Sequence, residues 1–450
     1  MFDRNITKYL ISWKERPARK PLIIRGARQV GKTVAVELFA EEFQSFVSLN
    51  LDRNDHLQLF HNTNNVQELI QAIQLKTNIR IIPGSTLLFI DEIQNSPEAI
   101  KLLRFFYEDF PDLHVVAAGS LLEVKMAKEG FSFPVGRVEY CYMYPVSFNE
   151  YLQAMGEAEA LHYLSTCTAN TSIPPNIHNM LMQKFHEYIF VGGMPEAVKA
   201  FAENRDYLEL NNIYESILTS YYDDIHKYAT KAEVPYIQHC FDKAPFYAGQ
   251  RMKYEGFGES NYRSREMKNA LTLLEKAMII HSVLPAPSLR LPILPNLKKA
   301  GKLLFLDVGL MNYRLGLREQ LHTFSALDDL YRGFIAEQIV GQSILVSGEV
   351  NQHRQVHYWY RDKQGSSAEV DFVIPFKDTV IPIEVKSGKA GKLRSLHQFM
   401  AKADHDIGVR IYSGPLKLEV QKTQDNRSYK LLSLPFYLIE RLKAVLNTLS

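Results

Sequence analysis

Short apolar runs alternate with helix-periodic stretches through the first third of the chain. Leu22–Arg25, Phe46–Leu51, Thr86–Asp91, His114–Ala118 and Val138–Met143 are apolar over strand length. Between them, Val66–Leu75 and Glu98–Tyr107 repeat apolar residues at helical spacing. Strands alternating with helices in this way predict a parallel sheet covered on both faces. The pattern then changes. Pro145–Leu152, Ile177–Phe190 and Tyr207–Tyr228 predict helices with little strand signal, punctuated by a Ser172–Asn176 loop and a Gly192-Gly193-Met194-Pro195 turn. Pro235–Val283 predicts a small helical unit ending in an amphipathic helix, Ser264–Ala277, and a short strand that includes Ile279-Ile280. That order is a winged-helix pattern, with Leu284–Pro295 as an extended linker or wing. Strand patterns return from about Phe305. Four regions follow: 1–150, 151–228, 229–297 and 298–450.

A chain of 450 residues exceeds what one core supports. Its formal charge of +2 gives no global basic field, so any DNA contact must come from local patches. Arg263, Arg265 and Lys268 begin the amphipathic helix, and Lys298, Lys299 and Lys302 follow it. They suit phosphate neutralisation and a solvated helix face equally. The aromatics Phe246, Tyr247, Tyr254 and Phe257 suit a core better than a base-stacking platform. Cys141, Cys167 and Cys240 form no CxxC pair, which points to a reducing compartment. No apolar leader and no run of membrane-spanning length is present, so a cytoplasmic protein without a membrane partner is expected.

The chemistry is densest at Gly26-Ala27-Arg28-Gln29-Val30-Gly31-Lys32-Thr33, a complete GxxxxGK[ST] phosphate-binding loop. It follows a predicted strand and precedes a predicted helix, Val34–Ala40, so its N–H groups can wrap a phosphate chain at a helix N-terminus. Lys32 would face the β- and γ-phosphates, and Thr33 would offer a hydroxyl to Mg²⁺. Leu87-Leu88-Phe89-Ile90 ends in two acids: Asp91 for Mg²⁺ and Glu92 to orient or deprotonate water. Glu92 and an intervening strand at Phe46–Leu51 favour the additional-strand ATPase class. No Asn-Lys-x-Asp string selects guanine, so ATP is the expected nucleotide. Ser120 ends the next strand at a sensor position, or is a turn serine there. Arg137 offers transition-state charge in cis or to a neighbouring subunit, or is a surface arginine.

The order of these strings, with Gly136-Arg137-Val138-Glu139-Tyr140, Tyr144-Pro145-Val146-Ser147-Phe148 and Val191-Gly192-Gly193-Met194-Pro195, resembles a widespread prokaryotic family of AAA-type ATPases. The resemblance covers nearly the whole chain. It implies an AAA-type ATPase domain and a C-terminal domain of unknown function similar to restriction-endonuclease folds; the helices of 151–228 are expected as a lid. It leaves open a homo-oligomer, a remodelling machine or a protein partner. Many members carry Arg-Asp-Ile in the middle helices. Here Tyr222-Asp223-Asp224-Ile225 stands instead, and no role is assigned to it.

The C-terminal region carries a second candidate site. Ala368–Ile374 and Ile381–Ser387 alternate for most of their length and predict a hairpin turning at Pro375–Thr379. Glu369 and Asp371 share one face of the first strand, and Glu384 and Lys386 share one face of the second. Pairing brings Asp371, Glu384 and Lys386 together as the D…ExK set of PD-(D/E)xK nucleases, in which two acids bind Mg²⁺ and the lysine positions water. A helix at Tyr331–Leu345 can supply a third acid, Glu337. With a strand at Val356–Tyr360, a helix at Leu393–Ala403 and a strand at Gly408–Tyr412, the order is that of the nuclease core. The expected architecture is an additional-strand AAA-type P-loop sheet, a helical and winged-helix-like middle, and a restriction-endonuclease-like α/β domain. Exposed strand acids paired to Lys386 would give the same pattern without chemistry.

Overall fold

The computed structural model describes residues 4–61, 63, 65–122, 124, 125, 134, 136–317, 333–361, 368–388 and 393–449. Among these, the first sheet has five parallel strands: β1 (Leu22–Arg25), β2 (Ser45–Asn50), β3 (Thr86–Asp91), β4 (His114–Gly119) and β5 (Glu139–Tyr142). Their spatial order is β2-β3-β4-β1-β5. The apolar runs fold this way because alternate side chains serve two cores. Leu87, Phe89, Val116 and Ala118 enter one, and Leu88, Ile90, Val115 and Ala117 enter the other. Helices follow their start signals. Ser96 caps Pro97–Asp109, whose first residue is proline, and Ser147 with Glu150 forms a reciprocal cap on Phe148–Ala154.

The strand inserted between β1 and β3 is β4. The expectation that Phe46–Leu51 plays this part is corrected: that segment is β2 on the outer edge, intervening in sequence but not in space.

Helices Pro175–Val191, Pro195–Asn204, Glu209–Tyr228, Val234–Lys243 and Ser264–Lys276 fill the middle of the chain. A mixed sheet of eight strands follows among the described residues: β6 (Ile280–Ala286), β7 (Lys302–Phe305), β8 (Val356–Tyr360), β9 (Glu369–Phe376), β10 (Thr379–Val385), β11 (Ile407–Tyr412), β12 (Lys417–Lys422) and β13 (Ser428–Pro435). The order is β12-β13-β11-β10-β9-β8-β6-β7. The expected boundary at 297/298 therefore falls inside a sheet. The β6–β7 hairpin does not stand apart as a wing, because β6 also pairs in parallel with β8. The edge of β7 is covered in turn by Gly249–Met252, with Gly249 N–H on Leu303 O at 2.8 Å and Leu303 N–H on Gln250 O at 3.0 Å. The β9–β10 turn is tighter than expected. Phe376 pairs with Thr379, leaving Lys377 and Asp378 at the tip, and Lys377 is left-handed at φ 48°. The helix expected from Tyr331 is described as Phe334–Val346; Tyr331 itself lies outside the described residues.

No linker separates these parts. One apolar core runs from Ile6 through Tyr214 and Leu304 to Leu446. Tyr142 N–H at the end of β5 donates to Val350 O at 2.6 Å, and Glu440 accepts the N–H groups of Phe148 and Asn149 at 2.6 and 3.3 Å. No described helix is long and apolar enough to cross a membrane. Cys141, Cys167 and Cys240 are buried free thiols.

Asp307 lies where the middle helices meet the second sheet, and it is wholly buried. Its carboxylate caps helix Val308–Arg314 through Leu310 N–H at 2.9 Å. It also accepts Gly193 N–H at 2.6 Å and the Gln342 amide at 3.2 Å. Gly192 is left-handed at φ 68°, and a Cβ there would fall 2.3 Å from Asp307 Oδ1. Asp307→Ala would strand these donors in the interior. The expected loss is about 3 kcal/mol or more, read as a lower urea midpoint with an unchanged slope. An unchanged midpoint would mean that the donors find other partners.

Candidate functional site

The glycine-rich loop leaves the C-terminal end of β1 and enters helix Lys32–Ala40, with Gly31 left-handed at φ 92°. Gly26 admits no side chain: a Cβ would stand 2.4 Å from Met143 O. Lys32 is folded onto the loop, its ammonium donating to Gly26 O at 3.0 Å and Ala27 O at 2.8 Å. Burial pulls its pKa down to about 8, against the opposing pull of Glu92 and Asp91. A buried ammonium so placed suits an anionic guest. Thr33 Oγ1 donates to Asp91 Oδ2 at 2.9 Å, so a hydroxyl and a carboxylate already stand together as hard oxygen donors. These two residues fit Mg²⁺, which would neutralise phosphate charge when bound.

Glu92 is held in the left-handed region at φ 52°, an unusual state for a non-glycine residue that turns it away from the strand line. Burial raises its pKa, which suits a base. The side-chain amide of Gln94, itself buried, donates to Glu92 Oε2. A Cβ on Gly119 would meet Gln94 Oε1 at 2.3 Å, so glycine ending β4 makes room for that amide. Ser120 is buried and lines one small cavity with Arg25 and Gly26, next to the loop.

Arg137 is elsewhere. It precedes β5, and Glu139 pairs with Leu22, at the end of the sheet opposite the phosphate loop. Its guanidinium holds Glu108 at 2.8 Å and lies over the Tyr107 ring. The expectation of a cis role is corrected: in a parallel sheet the residue before a strand lies at the far edge from the ligand.

Asp224 and Arg4 carry roles that sequence reasoning missed. The Asp224 side chain, only 4% exposed, pairs with Arg28 in the loop, and Lys227 adds a second cation at 3.0 Å. Tyr221 donates to Arg28 O at 2.7 Å, so one face of helix Glu209–Tyr228 grips the loop. The signal was the Asp-Ile at 224–225, which keeps two residues of the family string. Arg4 holds Val30 O at 3.2 Å, Tyr144 O at 2.8 Å and Glu150 at 3.0 Å, and nothing in its local sequence marks it.

The second site is built by β7, β9, β10 and helix Phe334–Val346. Phe372 opposes Ile383 in the hairpin, which sets Asp371 against Glu384; Asp371 Oδ2 accepts Val385 N–H at 2.8 Å. Lys386 holds Glu384 Oε1 at 2.8 Å. Glu384 Oε2 is buried and accepts no hydrogen bond among the described residues. Glu337 faces the same space from the helix. The expected set thus converges, but an unexpected cation lies within it. Lys302, 5% exposed at its side chain, reaches Glu337 at 2.8 Å, Glu369 at 2.6 Å and Asp371 at 3.5 Å. Lys302 therefore faces acids and not a nucleic-acid backbone, which corrects its place among the surface cations. Arg263, Arg265, Lys268, Lys298 and Lys299 are exposed. Arg251 adds a guanidinium on Glu369. Burial and neighbouring Asp371 push Glu337 and Glu384 up to about 7, so the cluster remains short of positive charge. In kind, these oxygens fit a divalent cation. In this arrangement no three of the described His, Cys, Asp or Glu residues stand ready to hold one together.

Residues 18–152 match the family model of an AAA domain. Residues 182–321 match a domain of unknown function (DUF8612), and residues 332–437 match another (DUF4143). No curated protein matches the chain significantly. Among solved structures, a Walker-type ATPase of Pyrococcus abyssi aligns at 15% identity and TM-score 0.44, over 70% of this chain and 96% of that one. The ORC1 protein of Aeropyrum pernix, solved in complex with DNA, aligns at 10% identity and TM-score 0.29, over 70% and 91%. The ORC2 protein of the same organism aligns at 11% and TM-score 0.30, over 71% and 95%. These likenesses are too loose to carry function. The family match, the strand order and the loop make the N-terminal third an AAA-type P-loop ATPase domain, and ATP is the nucleotide that such a domain uses.

Lys32→Ala should abolish binding of a fluorescent ATP analogue, whereas Glu92→Gln should keep binding and lose hydrolysis. Normal turnover by Glu92→Gln would remove Glu92 as the base. Asp224→Ala, which releases Arg28 from its charged hydrogen bond, should weaken ATP binding about tenfold with unchanged circular dichroism. Unchanged affinity would make the pair a packing contact only.

Proposed function

We propose that this chain binds and hydrolyses ATP and that its nucleotide state controls a C-terminal nuclease-like site acting on DNA. The observation that carries this reading is the convergence of Glu337, Asp371, Glu384 and Lys386 from one helix and one hairpin, in a chain that also has a complete phosphate loop. In the first site Lys32 and the loop amides would hold the phosphates, Thr33 and Asp91 would hold Mg²⁺, Ser120 would face the γ-phosphate, and Glu92 would orient the attacking water or take its proton. In the second site Glu337, Asp371 and Glu384 would hold a divalent ion, which supplies Lewis acidity toward a phosphodiester. Lys386, fixed by Glu384, would position water or meet the charge that develops on phosphate. Physical continuity supports the coupling. A Cβ on Gly31 would stand 3.5 Å from Pro195 Cγ, Gly193 binds Asp307, and Asp307 binds Gln342 on the helix of Glu337.

One observation favours a second reading. Lys302 already occupies the space between three of the acids, as in a nucleotide-dependent switch whose C-terminal region binds a partner without cutting it. Incubating wild type and Asp371→Ala with plasmid, linear, single-stranded and branched DNA, with Mg²⁺ or Mn²⁺ and with or without ATP, separates the two. Cleavage by wild type alone, altered by ATP, is the expected result. Intact DNA under all conditions would replace the nuclease with the switch.

A further inference from the structure

We infer that Lys302 is a built-in counter-ion that takes the place of a divalent metal among Glu337, Glu369 and Asp371, so that metal enters this site only when the Lys302 ammonium is withdrawn. The inference rests on reading these acids as a cation site, and not on cleavage.

Three observations support it. First, position: the ammonium lies 2.6 to 3.5 Å from one oxygen of each of three carboxylates contributed by two different elements, and its side chain is 5% exposed. A lysine that only decorated a sheet edge would place its charge in solvent. Second, the local build commits it there. Lys302 begins β7, which is pinned between β6 and the Gly249–Met252 segment, and Arg251 beside it holds the remaining oxygen of Glu369. The ammonium is therefore delivered by backbone structure and not by a flexible loop. Third, the site retains an unsatisfied anionic atom. Glu384 is 6% exposed, and its Oε2 is buried without a hydrogen-bond partner among the described residues. Four acids face three cations, Lys302, Arg251 and Lys386, which leaves one carboxylate uncompensated. Buried carboxylates without counter-charge are strongly unfavourable, so either a proton or a further cation completes the set. With Lys302 in place, Glu337, Glu369 and Asp371 all point at one ammonium. Removing its charge leaves Glu337, Glu369 and Asp371 facing one another, a set of oxygens that suits a hard divalent ion.

The test compares Mn²⁺ binding by the nucleotide-free full chain, followed by electron paramagnetic resonance, in wild type, Lys302→Met and Lys302→Arg. Each is paired with Asp371→Asn to subtract ions held at the phosphate loop. Lys302→Met keeps the apolar stem and loses the charge. It should gain an Asp371-dependent Mn²⁺ site at least tenfold tighter than any in wild type, and Lys302→Arg should not. Thermal melting gives a second readout. In chelator, Lys302→Met should melt below wild type and recover on adding Mn²⁺, while wild type should show no Asp371-dependent shift. An Asp371-dependent site in wild type as tight as in Lys302→Met would overturn the inference, whatever the nuclease assay gives. So would a Lys302→Met protein that gains neither Mn²⁺ affinity nor Mn²⁺-dependent stability. If Lys302→Met does not fold, Lys302→Gln takes its place, and any Asp371-dependent Mn²⁺ site in wild type as tight as in that variant overturns the inference. If it gains the site yet wild type never cuts DNA, the counter-ion stands and the nuclease reading falls.

Discussion

The Asp307 carboxylate is the constraint on which the remaining arrangement depends. It is a charged group in an apolar interior, so its position is tolerable only while its donors stay where they are. Those donors come from separate parts of the chain: the Gly193 turn after helix Pro175–Val191, the first turn of helix Val308–Arg314, and Gln342 on helix Phe334–Val346. Burial raises its pKa, while the N–H donors oppose the shift. Gln338 and Gln342, one helical turn apart, extend the same logic. They bind the backbone of Phe305 and Val308, which sets the helix against β7 in a single register. Once that register is fixed, Glu337 and Lys302 must meet.

Charge placement follows from this geometry more than from composition. The chain is nearly neutral, yet it concentrates acids around Lys302 and Lys386 and places a buried ammonium, Lys32, in the phosphate loop. The two sites are electrostatic opposites. The loop is organised to receive negative charge, and its lysine is held by carbonyls alone. The second site has excess negative charge, and its lysines are held by carboxylates. Burial shifts Lys32, Glu337 and Glu384 toward their neutral forms.

Much of the first sheet was legible in the sequence, because buried parallel strands are apolar runs and because the loop, Asp91 and Glu92 are fixed in chain order by the strands that carry them. The D…ExK convergence was legible for a related reason: period two decides which residues share a face. What failed was everything set by spatial order. Strand β2 looks central in sequence and lies at an edge. Arg137 sits near a strand but at the wrong end of it. Asp224 and Arg4 reach the loop across long stretches of chain, and Lys302 looks like one of several surface cations until β6 and β7 are seen joined to β8. Local patterns carry no information on such distant partners. Asp224 alone left a trace, in the family string that it partly keeps.

The joining of β6 and β7 to β8 also bears on how such a chain can change through evolution. The matched segments at 182–321 and 332–437 divide the second sheet between them, with Lys302 on one side and Glu337, Asp371 and Glu384 on the other. Exchanging the later segment alone would bring in a foreign set of acids under a resident lysine and lay a new edge strand against an old one. The two segments are thus structural halves of one sheet, although each is recognisable by itself.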